Sequence, residues 1–177
     1  RVLIISDTHG KSSCIQQIHD IVGNVDMLIH LGDVEGDEKL IHDLFDCEIH
    51  MVRGNCDYNP ELPIYDEFNS GDKRAFITHG HRYSVNSGIS YLEELIDTEG
   101  YDFVMYGHTH RRDLMSYKGS YIVNPGSLAL PRDNRIGTYM LLDFDQHGTP
   151  FFAQNELPKV DTPEEKKRKK FFEDLWG

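Results

Sequence analysis

The sequence predicts an α/β fold with a buried parallel sheet in its first half. Three observations predict it. Short apolar runs rich in β-branched residues alternate with segments of helical periodicity. The second half carries three hairpin signals. Polar residues able to do chemistry fall, one set after another, just past the ends of the predicted strands. That carboxyl edge is where α/β sheets bind ligands.

Residues 2–5 are wholly apolar and predict a buried strand that ends in the polar turn Ser6-Asp7-Thr8-His9-Gly10. Ile15, Ile18, His19 and Val22 then recur at helical spacing. Residues 26–31 predict a second strand, closed by Gly32-Asp33. Leu40, Ile41, Leu44 and Phe45 fit one face of a second helix. Residues 47–52 predict a third strand, ending at Gly54-Asn55-Cys56-Asp57. This order implies βαβ units and a sheet covered by helices.

The second half is richer in strands. Residues 64–68 and 74–78 flank Ser70-Gly71-Asp72, a turn signal. Residues 88–97 predict a helix carrying Leu92, Leu95 and Ile96, and residues 101–106 a strand leading to Gly107-His108. Residues 114–117 and 120–123 flank Lys118-Gly119, and residues 138–144 and 151–154 flank Asp145-Gln146-His147-Gly148. Residues 164–176 read as a final helix.

A chain of 177 residues predicts one domain, here 1–177 with the helix 164–176 at its end. At that size about 70% of the unfolded surface can be buried, so no disulfide or zinc staple is needed. With 18 Lys and Arg against 30 Asp and Glu, the formal charge is −12, which repels phosphate backbones and argues against a nucleic-acid or anionic-membrane coat. Three cysteines argue against a secreted disulfide scaffold. No apolar run approaches the roughly 18 residues of a membrane span. The opening stretch meets Asp7 too soon to read as a signal peptide, and the expected location is the cytoplasm. The basic run 166–170 reads as a solvated helix face or as a patch for an acidic partner. Phe171, Phe172, Leu175 and Trp176 after it would pack that helix on the body or on a second copy, giving a homo-oligomer.

Asp7, His9, Asp33, Asn55, His79, His108 and His110 are metal-capable residues past five predicted strand ends, each with a glycine close by. Singly each is weak, because Asp-x-His and Gly-Asp arise by chance. Together they are more ligands than one ion of this type uses, and two ions sharing a carboxylate would use them well. Carboxylate and imidazole without thiolate suit Mn²⁺ first, with Fe, Zn²⁺ or Ni²⁺ as alternatives. Two ions about 3.5–4 Å apart lower the pKa of a water between them and clamp both oxygens of an in-line displacement. That chemistry suits phosphate esters.

The segments Asp7-Thr8-His9, Gly32-Asp33, Gly54-Asn55-Cys56, His79-Gly80-His81 and Gly107-His108-Thr109-His110 resemble, in order, the motif series of the calcineurin-like metallophosphoesterase superfamily. Asn124-Pro125-Gly126-Ser127 adds a similarity to its small YfcE-like phosphodiesterase branch. The resemblance implies a four-layer α/β/β/α sandwich of two mixed sheets. It implies a first metal on Asp7, His9 and His110, a second on Asn55, His79 and His108, and Asp33 as the bridge. The implied reaction is hydrolysis of small phosphodiesters by a hydroxide held between the two ions. Asp33, Asn55 and His81 are the candidate catalytic residues. Arg53, Cys56 and Asp57 are the candidate substrate contacts.

Many members carry a histidine where this chain has Cys56, and that histidine helps protonate the leaving alkoxide. A thiol with a pKa near 8.5 is a poor replacement. Alkyl monoesters need that proton most and activated diesters least, so diesters are the expected substrates. Cys56 also reads simply as a small residue packed beneath its loop. His81 orients substrate or water, or holds His79. Arg53, Arg111, Arg112 and Arg132 could each reach phosphate, or lie on the surface. His30, inside an apolar strand, reads as a satisfied core histidine. Two other classes compete. One is a non-catalytic binding scaffold, as in the retromer subunit Vps29. The other is a metal-dependent nuclease, against which the charge weighs.

Overall fold

The computed structural model describes residues 1–133, 135–158 and Glu173. The expected helix over 164–176, and the oligomer contact expected through it, fall outside the described residues apart from Glu173.

The elements follow the predicted order. β1 (Val2–Ile5), α1 (Ser12–Val22), β2 (Met27–His30), α2 (Glu38–Leu44) and β3 (Glu48–Met51) come first. β4 (Tyr65–Ser70), β5 (Lys73–Thr78), a 3₁₀ turn (His81–Tyr83), α3 (Ser90–Glu99) and β6 (Phe103–Met105) follow. β7 (Arg112–Tyr117), β8 (Ser120–Pro125), β9 (Thr138–Phe144) and β10 (Pro150–Glu156) complete the described chain.

They form two mixed five-stranded sheets, ordered β10-β9-β1-β2-β3 and β4-β5-β6-β8-β7. β1, β2 and β3 pair in parallel, as do β5, β6 and β8. The hairpins β9–β10, β4–β5 and β7–β8 supply the antiparallel strands.

Side-chain alternation explains why the sheets stack. In β1, Val2 and Ile4 point into a layer shared with Ile77, Met105 and Val123 of the second sheet. Leu3 and Ile5 point the other way, onto Ile15 and Ile18 of α1 and Ile41 of α2. The second sheet turns Phe76, Val104 and Ile122 toward Leu92 and Ile96 of α3. Strands buried on both faces read as near-continuous apolar runs, which is why β1 and β2 lack a polar alternation. Three apolar layers separate four layers of secondary structure, the α/β/β/α sandwich. Among the described residues, no helix is long and apolar enough to cross a membrane.

Candidate metal centre

The loops after β1 and β2 run side by side as an extension of the parallel ladder. Asp7 N–H donates to Gly32 O (3.0 Å), His9 N–H to Asp33 O (2.9 Å) and Gly10 N–H to Val34 O (3.1 Å). His30 pins the same loops from below. Its Nδ1 accepts from Gly32 N–H (3.2 Å), so its Nε2 carries the proton and donates to Thr8 Oγ1 (3.0 Å). Burial pushes the pKa of this ring down to about 4, so it stays neutral. The satisfied core histidine expected at this position is what the structure contains.

The backbone is strained where the candidate ligands lie. Among the described residues, eight other than glycine have positive φ, and five of them are Asp7, His9, Asp33, His108 and His110. Each such conformation costs on the order of 1–3 kcal/mol and persists only where the surroundings over-determine it. Two glycines permit the close approach of the loops. A Cβ on Gly54 would lie 2.0 Å from Asp33 Oδ1, and one on Gly107 would lie 2.0 Å from Ser6 Oγ.

These loops bring all the predicted ligands together. Asp7, His9, Asp33 and His110 each present one atom, all within 4.8 Å of one another. His110 Nε2 lies 3.1 Å from Asp7 Oδ1, and His9 Nε2 lies 3.8 Å from Asp33 Oδ2. On the other side of Asp33, His79 Nε2 is 3.4 Å from its Oδ2 and 3.2 Å from Asn55 Oδ1. The His108 ring stands 5.1 Å from that of His79. Asp33 therefore lies between two groups of donors, as a bridging ligand must.

The far side of each ring fixes its orientation. Nδ1 of His9 meets Glu35 Oε1 (2.7 Å), Nδ1 of His79 donates to Leu31 O (2.7 Å), and Nδ1 of His110 donates to Leu130 O (2.6 Å). All three Nε2 atoms are left facing the cluster, the arrangement expected of metal-ligating imidazoles. His108 is turned the other way, with its Nε2 on the Asn86 amide (2.9 Å).

A cation fits this donor set. Asp7 is fully buried, and among the described residues its Oδ1 has no hydrogen-bond donor although it faces His110 and His9. A buried carboxylate oxygen without a donor is costly unless a positive charge meets it. Burial by itself would raise the pKa of Asp33, but His79 and the Cys56 N–H hold its carboxyl well below the usual range. Burial likewise opposes charge on His79 and His110, yet the facing carboxylates of Asp33 and Asp7 prevail and raise both. His108 is pushed down by burial and then by His79.

The remaining predicted residues divide. His81 borders the centre, its ring 5.4 Å from that of His79, and its buried Nδ1 has no hydrogen-bond partner among the described residues. Burial and the neighbouring rings of His79 and His108 push it down to about 4. Cys56 donates its backbone N–H to Asp33 Oδ1 (2.8 Å), while its thiol lies beside the Asn55 amide. Burial and the charges of Asp33 and Glu35 push that thiol up to about 12, so it is not an acid at neutral pH. Arg53 is half-buried, and its backbone N–H is bonded to Pro63 O. Asp57 differs from its expected role. Its carboxylate accepts the N–H groups of Asp33, Val34, Glu35 and Gly54 at 2.7–2.9 Å, so it ties loops together rather than facing substrate.

Sequence reasoning missed Glu35 and Asn86, which hold His9 and His108. An acidic residue two places beyond Asp33 was the only signal for the first, and a polar loop residue shortly after His81 for the second. The turn over Asn124 to Ser127 has a clear task. Asn124 donates to Gly107 O (2.9 Å) and Ser127 Oγ to Asp7 O (2.8 Å), bracing both ligand loops.

This donor cluster, at the strand ends of this sandwich, defines the class of metallophosphoesterases. The model of the calcineurin-like phosphoesterase superfamily domain matches residues 1–147, and the chain belongs to that superfamily. The Bacillus subtilis protein named "Probable metallophosphoesterase YsnB" is 31% identical over 147 residues, 81% of this chain and 84% of that one. "Phosphodiesterase YfcE" of Escherichia coli is 26% identical over 169 residues, 82% of this chain and 88% of that one. Among solved structures, Entamoeba histolytica Vps29 in complex with zinc shares the fold, with a TM-score of 0.68 at 20% identity over 89% of this chain and 99% of that one.

Proposed function

We propose that the protein is a phosphodiesterase that uses two divalent ions to hydrolyse small phosphodiesters. Asp7, His9 and His110 would hold one ion and Asn55, His79 and His108 the other, with Asp33 shared. When bound, the pair supplies a low-pKa water and charge neutralisation for an anionic ester. The residues of the chain provide the rest. Glu35, Leu31 O and Leu130 O fix three imidazoles, so that little reorganisation accompanies binding. The neutral His81 ring stands beside the second group of donors, where it would orient the ester oxygens. Arg53 and Cys56 are the remaining candidates for substrate contact. With a thiol of raised pKa at position 56, no strong acid adjoins the Asn55 amide, and substrates whose leaving group needs no proton are favoured.

The observation that carries this reading is Asp33 between two donor groups, with Asp7 Oδ1 left without a donor. The test is elemental analysis of the purified protein beside assays on p-nitrophenyl phosphate and bis-p-nitrophenyl phosphate. Two equivalents of Mn, Fe, Zn or Ni and faster turnover of the diester are expected. The likeness to Vps29 favours a second reading, a binding scaffold. Metal-loaded protein inert on every diester would support it.

A further inference from the structure

Beside the donor centre lies a cleft of about 470 Å³, lined by residues that include Asn86, Thr109, Arg111 and Arg132. Its lining residues touch the centre. Asn86 holds His108 Nε2, Arg111 follows His110 in the chain, and Arg132 N–H donates to His110 O (2.9 Å). Arg132 lies near enough to His110 for its charge to oppose protonation of that ring.

The arginines of this cleft differ. Arg112 is engaged, with Nε on Asp133 (3.0 Å) and NH1 near Glu156 (3.6 Å). Arg111 and Arg132 are exposed and have no carboxylate partner among the described residues. The one acidic lining residue, Asp113, accepts from Tyr106 OH (3.0 Å). In a chain of net charge −12, two guanidinium groups lining a cleft beside the centre, without a carboxylate partner among the described residues, mark a local reversal of sign.

We propose that this cleft binds a second anionic group of the substrate, and that the preferred substrates are phosphodiesters bearing an additional phosphate. The inference rests on the phosphodiesterase reading and narrows it to a class of ester. A phosphate is the matching ligand because guanidinium forks pair with its oxygens through parallel, charge-assisted hydrogen bonds. The cleft volume also accommodates a sugar-sized spacer between the two phosphates.

The test has a binding arm and a kinetic arm. Inorganic phosphate is titrated into chelator-treated protein and followed by amide NMR. Shifts at Asn86, Arg111 and Arg132 are expected, and their loss in Arg111→Gln/Arg132→Gln. The kinetic arm compares thymidine 5′-(p-nitrophenyl phosphate) with the same ester carrying a 3′-phosphate. A preference of roughly tenfold in kcat/KM for the phosphorylated ester, expressed in KM, is expected, and the double variant should bring the ratio toward one. Equal kcat/KM for both esters, a preference that survives the double variant, or phosphate shifts confined to other residues would each overturn the proposal. Failure to turn over either ester, with the shifts intact, would count against the phosphodiesterase reading and not against the anion cleft.

Discussion

Replacing Asp57 by asparagine separates a residue that builds the centre from one that touches substrate. Its Oδ1 accepts Val34 and Glu35 N–H at 2.7 Å each, and its Oδ2 accepts Asp33 N–H at 2.9 Å and Gly54 N–H at 2.7 Å. Asparagine keeps the shape and turns one acceptor into a donor. Whichever way the amide lies, two backbone N–H groups then face an N–H. An unsatisfied buried donor costs about 1–3 kcal/mol, so two cost roughly 2–6 kcal/mol. The lower half of that range applies, because the loop at Glu35 is exposed and water can reach its N–H. At ~2–4 °C per kcal/mol for a chain of this size, Asp57→Asn should melt on the order of 5–15 °C below the parent. Thermal unfolding followed by circular dichroism, on chelator-treated protein at equal concentration, reads this directly. A melting temperature within 2 °C or so of the parent, with a raised KM for diesters, would refute the reasoning and return Asp57 to the substrate.

Three further outcomes are expected. Asp33→Ala should abolish diester hydrolysis and lower the bound metal on elemental analysis, since the carboxylate lies beside both donor groups; a parental kcat would contradict the shared-ligand role. Cys56→His should raise the ratio of monoesterase to diesterase activity by supplying an acid with a pKa near 6.5, and an unchanged ratio would show that position 56 does not set the preference. His30 should keep its Nε2–H tautomer and remain neutral on NMR titration of chelator-treated protein from pH 7.5 to 5.5. Because the folded ring has the lower pKa, the unfolded state takes up the proton first. His30 therefore contributes stability fully above pH ~6.5 that is lost toward pH ~4, by about 3 kcal/mol in all. A ring that titrates near 6.5 would refute this.

The first half of the fold was legible because it obeys local rules. Doubly buried strands read as nearly continuous apolar runs, as β1 does throughout and β2 does up to His30. The pairing of β9 with β1 was not legible, since it joins Leu142 to Val2 across nearly the whole chain and leaves no local trace. Strand β6 covers Phe103–Met105, shorter than the predicted 101–106, although Tyr106 N–H still bonds Val123 O (2.9 Å) and Gly107 N–H bonds His79 O (3.1 Å) before the chain turns at His108. All seven candidate ligands were legible as types at strand ends. Their constraints were not. Left-handed backbone at Asp7 or His110 looks like any other Asp or His in a sequence. The acceptors of His79 and His110 are main-chain carbonyls, which every residue has. Gly54 was legible only as a glycine close to Asn55, whereas its use is the absence of a Cβ against Asp33. Asp57 stood next to the motif and was taken for chemistry because nothing local reveals a carboxylate bonded to four amides.

Anomalous diffraction from crystals grown with manganese tests the central claim most directly. Two peaks about 3.5–4 Å apart are predicted, one among Asp7, His9, Asp33 and His110 and the other among Asp33, Asn55, His79 and His108. A single peak, or peaks away from Asp33, would contradict it.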